Sequence, residues 1–290
     1  MRPLVDNSLK IMKCPLCNSD SKRVFEVKDY WIRDCVECSH RFTELVADNN
    51  HVEKIYDDSY FNGGGAGYTD YLQEAEILRQ RGNWYGKLLA KYTNKGKVLD
   101  VGSAAGFILK GMTEAGWQGV GIEPNESMAE FGRKKLNLEI HRTSVEKYAT
   151  DEKFDLVTMI QVMAHFVEPK EVFSNVSNTL KANGHLLIET WNRKSLSEKI
   201  FGTKWHEYSP PSVLQFFSDD GIEKLAQEQG FERVAIGRPS KWISGSHAKS
   251  LIAYKFGEKS IVTKLSKLVP DKLSFPYPAE DLFWVLYKKK

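Results

Sequence analysis

No cysteine occurs after Cys38, although the chain runs to 290 residues. That confinement excludes a disulfide framework spread over the fold. No apolar run approaches the roughly 18 residues that a membrane span requires. The opening MRPLVDNSLK has no apolar centre of a secretory signal, so a cytoplasmic location is the expectation. An excess of one charge is missing too, with 41 Lys and Arg against 38 Asp and Glu. The closing Lys288-Lys289-Lys290 accounts for the net +3 by itself. Overall charge therefore makes no case for a nucleic-acid or membrane-surface partner. No G-x-x-x-x-G-K-[ST] phosphate loop and no internal repeat is present. What remains is an ordinary globular composition, 41% hydrophobic and 27% charged, in a chain long enough for one large core and a small satellite.

The four cysteines form two pairs, Cys14-x2-Cys17 and Cys35-x2-Cys38, with 17 residues between the pairs. Each CxxC turn aims two sulfurs at one point, and two such turns complete a tetrahedral zinc site. A closed set of four thiolates is a structural centre, because a catalytic zinc keeps one position open. His40 follows too closely to be needed as a ligand. The strand-like pieces RVFEV and DYWIRD between the knuckles make residues 1–50 a zinc ribbon.

Residues 51–96 read as a joining segment, with the glycine cluster of YFNGGGAGYTDY, followed by a lead-in helix over 72–92. From Lys97 short apolar strands alternate with helical patterns: KVLDV, GVGIE, LEIHR, FDLVTMI and HLLIET are the strands. This alternation predicts an α/β fold, a doubly wound and mainly parallel Rossmann-like sheet, over residues 97–260. FERVAIG and SLIAYKF are expected as two further strands, and residues 261–290 as a tail packing on the core. The aromatic stretch from Trp191 to Phe217 follows a strand, where ligands of such sheets bind.

The turn VLDVGSAAGF places Gly102, Ala104 and Gly106 at alternate positions, with Ser103 between the first two. Phe107 stands where the dinucleotide fingerprint needs its third glycine, which argues against a nicotinamide cofactor. Asp100 ends the first strand and Glu123 the second. An acid at the first turn repels a pyrophosphate and suits a cationic ligand, while an acid after the second strand suits a ribose diol.

At these residues the sequence resembles the class I methyltransferases that use S-adenosylmethionine, whose glycine motif is (V/L)LDxGxGxG. The resemblance implies that Asp100, Gly102, Ser103, Ala104 and Gly106 line the methionine part of the ligand, and that Glu123, followed by Pro124, binds its ribose. It implies that Ser144 and Val145 of TSVEKY flank the adenine, and that Gln161 of FDLVTMIQVMAHFVEP borders the ligand. In the lead-in helix it makes Tyr71 and Arg79 candidates for the methionine carboxylate.

Methyl transfer needs an acceptor aligned with the sulfonium methyl and, for many acceptors, a base. Histidine suits that task near neutral pH. By the resemblance His165 lies on the active rim, and His206, in the aromatic loop WHEYSPP, is the second candidate. The expected function is methyl transfer to a small or sugar-like acceptor, by O- or C-methylation. The ribbon, the YFxGG lead-in and the WHEYSPPSVLQFFS loop resemble bacterial methyltransferases of sugars and surface polysaccharides. Two alternatives stand: a ribosomal RNA methyltransferase, since some begin with a CPLC ribbon, and a non-catalytic zinc-ribbon binding module.

Overall fold

The computed structural model describes residues 12–46, 55, 71–239, 241–257, 259–271, 273–277 and 279–290. The glycine cluster of YFNGGGAG lies outside the described residues.

A seven-stranded sheet organises the molecule, in the order β10-β13-β8-β7-β4-β5-β6. Its parallel part comprises β4 (Lys97–Val101), β5 (Gln118–Ile122), β6 (Glu139–His141), β7 (Phe154–Ile160) and β8 (Leu180–Trp191). Side chains alternate across the pleat, so each strand feeds two layers. Val98, Leu156, Leu187 and Leu286 pack with Tyr85 and Leu89 of α1 (Ala75–Leu89) and with Leu109 and Met112 of α2 (Phe107–Glu114). Leu99, Val101, Val157 and Ile188 face the other way, onto Val172 and Phe173 of α4 (Pro169–Thr179) and Ile222 and Leu225 of α6 (Asp219–Glu228). Between these lie α3 (Glu126–Leu136), whose start Asn125 caps by accepting the Met128 N–H, and the short α5 (Leu196–Phe201).

Two sequence expectations change. The segment read as a tail supplies β13 (Leu282–Lys289), antiparallel to β8 on one side and to β10 (Phe231–Gly237) on the other. The unbroken run LFWVLY is that of a strand buried on both faces. The stretch SLIAYKF is instead part of α7 (Gly245–Phe256). A four-residue apolar run is ambiguous by periodicity, and Ala248, Leu251 and Ala253 favour the helix. Because β13 sits inside the sheet, Leu286→Ala should cost about 2–5 kcal/mol, read from the denaturant midpoint of unfolding; Leu286 is fully buried.

The ribbon does not stand apart. β1 (Ser21–Val27), β2 (Tyr30–Cys35) and β3 (Arg41–Thr43) form a sheet whose fourth strand is β9 (Gln215–Phe216), from the aromatic stretch after β8. A second small ribbon, β11 (Lys241–Ser244) with β12 (Ser274–Tyr277), sits beside α7 and α8 (Ile261–Ser266). Among the described residues no helix is long and apolar enough to cross a membrane.

Candidate active site

The end of β4 turns sharply because three alternate residues take left-handed backbone angles: Gly102 (φ 68°), Ala104 (φ 48°) and Gly106 (φ 82°). A Cβ at Gly102 would lie 2.6 Å from Val162 Cγ1, and one at Gly106 would lie 2.6 Å from Leu138 Cδ1. Ala104 holds this conformation with a side chain, at a cost of about 1–2 kcal/mol relative to glycine. The Gly102 and Ser103 N–H groups both donate to the Ile122 carbonyl, at 2.9 and 3.1 Å. The turn is thereby pinned over the end of β5.

Glu123 is where that turn is read out. Its Oε2 accepts the Ala104 N–H at 2.8 Å and its Oε1 accepts the Asn125 N–H at 2.9 Å. The carboxylate thus ties the glycine turn to the start of α3, with one lone pair left on each oxygen. Asp100 accepts the Thr158 hydroxyl at 2.7 Å. Burial pushes both acids up to about 7, against the hydrogen bonds that pull them down. Two buried acids beneath a tight turn form a place for a cation. The buried Ser103 hydroxyl has no hydrogen-bond partner there, and a side chain at Gly102 would fill the turn. These features fit a ligand that combines positive charge with a ribose. Tyr71 stacks on Phe107, the first residue of α2, with centroids 5.6 Å apart, and so joins the turn. Pro124 and Ser144 are half-buried, and Val145 is buried in the core layer under α4.

Arg79 is a correction. Its side chain lies on the solvent face, paired with Glu76 at 2.9 Å and Glu114 at 2.7 Å. The inward cation of α1 is Arg81, 9% exposed. It pairs with Glu189, a carboxylate with no exposed surface near the end of β8. Tyr85 donates to the other Glu189 oxygen, and Gln161 Nε2 donates at 3.0 Å. The sequence carried this signal: Leu78, Arg81, Tyr85 and Leu89 share one helical face by their spacing, whereas Arg79 lies off it. Glu189 is announced by an acid inside the apolar run HLLIETW.

His165 ends a short 3₁₀ turn, Met163–His165, just past β7. Its Nδ1 lies 2.7 Å from the Ser212 carbonyl. A carbonyl only accepts, so the ring donates an N–H to it, and the Gln161 carbonyl is a second backbone partner of the ring. Burial holds its pKa below the ordinary 6.5. The anchoring segment is itself held by the ribbon. The Thr43 N–H donates to the Leu214 carbonyl, the Leu214 N–H to Ala164, and Gln215 Nε2 to Phe166. His40 Nε2 meets Gln215 Oε1 at 2.9 Å. His206 is more exposed, with its ring edge-on to Trp191 at 4.5 Å and Nδ1 3.7 Å from Asp281.

In the ribbon the four cysteine sulfurs lie within 4.8 Å of one another and none is in a disulfide. The contacts Cys14–Cys38, Cys17–Cys35 and Cys17–Cys38 are 3.6, 3.3 and 3.4 Å. A tetrahedron with bonds of about 2.3 Å needs edges of about 3.8 Å. The N–H groups of Leu16, Glu37 and Cys38 point at the sulfurs, as thiolate ligands require. Cys14 and Cys35 are buried. The donor set fits zinc.

A parallel sheet with one antiparallel strand, and a left-handed glycine turn over paired acids at the end of its first strand, defines a Rossmann-like fold. A family model described as "Methyltransferase domain" matches residues 73–236, and the chain belongs to that family. It is an S-adenosylmethionine-dependent methyltransferase. Its relatives include the ubiquinone biosynthesis O-methyltransferase of Dinoroseobacter shibae, 31% identical over 54% of this chain and 69% of that protein. The protein of the same name from Bradyrhizobium diazoefficiens is 28% identical over 46% of this chain and 60% of its own length. Among solved structures, the magnesium protoporphyrin IX methyltransferase of Synechocystis PCC 6803, with bound S-adenosylmethionine, superposes with a TM-score of 0.51 at 12% identity. That match covers 85% of this chain and 99% of that one. The YcgJ protein of Bacillus subtilis gives 0.52 at 15% identity, covering 73% and 98%. At these identities the likeness is one of fold.

Proposed function

We propose that this protein methylates a hydroxyl of a small or sugar-like acceptor, with His165 as the base and a structural zinc holding the rim on which it sits. The observation that carries the reading is the His165 ring, neutral by burial and fixed by Ser212 at the carboxyl end of β7. The O-methyltransferase name shared by the relatives supports oxygen as the acceptor atom. Bound S-adenosylmethionine supplies an electrophilic methyl. Glu123 would hold the ribose diol, Asp100 would face the positive part of the methionine moiety, and Arg81 would receive its carboxylate in partial exchange for Glu189. A ring nitrogen of His165 would take the proton of the acceptor hydroxyl. Burial of the rim under the aromatic stretch excludes water and strengthens these contacts. Cys14, Cys17, Cys35 and Cys38 would hold the zinc.

An RNA acceptor fits less well. Lys13, Arg23, Arg33 and Arg41 of the ribbon each pair with a carboxylate of their own lobe: Asp20, Glu44, Glu44 and Asp34. Such pairing leaves little positive charge to displace counterions from phosphates. The test is incubation with methyl-labelled S-adenosylmethionine and, in parallel, nucleotide sugars, small phenols and ribosomal RNA. Label is expected on a hydroxyl of the sugar or phenol set. Label on RNA alone would contradict the proposal.

A further inference from the structure

The helix α8 is built inside out. Its inward residues are polar, with Thr263 only 2% and Ser266 only 7% exposed. Its outward residues are aliphatic: Ile261 is 76% exposed, Val262 48%, Leu265 61%, and Leu268, just beyond the helix, 81%. The hydroxyls of the buried side are satisfied locally. Ser260 caps the helix by accepting the Thr263 N–H at 3.1 Å, Thr263 donates to the Gly257 carbonyl at 2.8 Å, and Ser266 donates to the Thr263 carbonyl at 2.8 Å. Leu273, just before β12, and Trp242, on β11, are also exposed. A monomer gains nothing from a contiguous aliphatic surface of this kind facing water.

The sequence of this segment is one-sided in charge. Residues 241–273 contain seven lysines against two acids, a local +5 inside a chain whose total is +3. The remainder is therefore slightly acidic, which the whole-chain count conceals. Lys259, Lys264 and Lys267 are exposed around the aliphatic residues, and one of the two acids, Asp271, is paired with Lys249. Exposed aliphatics flanked by lysines, with a tryptophan at the margin, are the composition of an interfacial membrane anchor. We propose that α8 and the β11–β12 ribbon dock on a bilayer surface carrying anionic headgroups, with Ile261, Leu265 and Leu268 entering the acyl boundary and the lysines lying among the phosphates. Nucleic acid would use the charge and leave the aliphatic residues in water.

The experiment is flotation of the full chain with phosphatidylcholine vesicles, with and without about one-third phosphatidylglycerol, over a range of salt. Binding is expected only with the anionic vesicles and should weaken as salt rises. The pair Lys264→Ala and Lys267→Ala should weaken it about 25-fold, at about fivefold per lysine. The pair Leu265→Asp and Leu268→Asp should abolish it. Both variants change exposed side chains, so melting temperature and S-adenosylmethionine affinity should stay at parental values. The proposal is overturned if the parent floats with neither vesicle, or if the aspartate pair floats as well as the parent. It is equally overturned if the parent is a dimer that the aspartate pair disperses without any vesicle binding, because the face is then a contact between copies.

Discussion

His165→Ala is expected to lower turnover by about 10²–10⁴, the range for losing a base that acts in the transition state. S-adenosylmethionine affinity should barely change, because the cofactor's proposed contacts are the glycine turn, Glu123 and α1. The same ring also anchors Ser212, so a second substitution is needed to separate anchoring from chemistry. His165→Asn retains an N–H for the Ser212 carbonyl and has no basic nitrogen. It should fold like the parent and turn over like the alanine variant. The pH profile carries a further sign. Burial lowers the His165 pKa from its ordinary 6.5, so the neutral, base-competent ring persists to lower pH. The ascending limb of kcat should therefore lie below 6.5 and vanish in both variants. Near-parental turnover in His165→Asn would make the residue an anchor, and loss of activity in His206→Ala would then move the base to the aromatic loop.

Loss of the ribbon metal should have the largest effect on stability. Metal analysis of the purified chain is expected to give about one zinc per molecule, and structural zinc sites contribute on the order of 10 kcal/mol or more to the fold they close. Cys35→Ser should release β1–β3 to rapid proteolysis. The damage should travel, since β3 pairs with β9 and the segment before β9 anchors His165. The imidazole signal of His165 should then titrate closer to the unperturbed value, an observable independent of activity. Less than half a zinc per chain, or a disulfide within either CxxC, would contradict the assignment.

The parts of this site that were legible in sequence are those where backbone geometry restricts residue type. Gly102 and Gly106 are marked by left-handed angles that a side chain resists, and even Ala104 kept the alternate spacing visible. The convergence of the four cysteines is legible because paired CxxC turns at this spacing aim their sulfurs at one point. The alternation of short strands and helices gave the parallel sheet for the same kind of reason, a period that side-chain burial enforces. Arg79 misled because a resemblance supplies a residue type near a position, while helical phase decides which of two neighbouring arginines turns inward. The pairing of Glu189 with Tyr85 was out of reach for a different reason: the two lie 104 residues apart, and only the fold brings α1 over β8. The same holds for the tie between the ribbon and the His165 anchor, spanning 175 residues from His40 to Gln215. SLIAYKF reads as a strand and residues 261–290 as a packing tail, whereas they supply α7 and β13, because a short apolar run carries no period and the neighbours on both sides of a strand decide whether it belongs in a sheet.

The central claim is that the turn at residues 102–106, held by Glu123, binds S-adenosylmethionine. Calorimetric titration of the parent and of Glu123→Ala with S-adenosylmethionine tests it most directly, run at several pH values. The parent should bind. With Asp100 and Glu123 raised to about 7 in the free chain, both carboxyls hold protons below that pH, and a cationic ligand must expel them. Affinity should therefore fall as pH drops from about 8 to 6, with proton release measurable in buffers of different ionisation heat. Glu123→Ala removes charge-assisted hydrogen bonds of about 1.5–3 kcal/mol, so its affinity should be about tenfold to hundredfold weaker. A folded Glu123→Ala protein that binds S-adenosylmethionine as tightly as the parent, with no dependence on pH, would contradict the account.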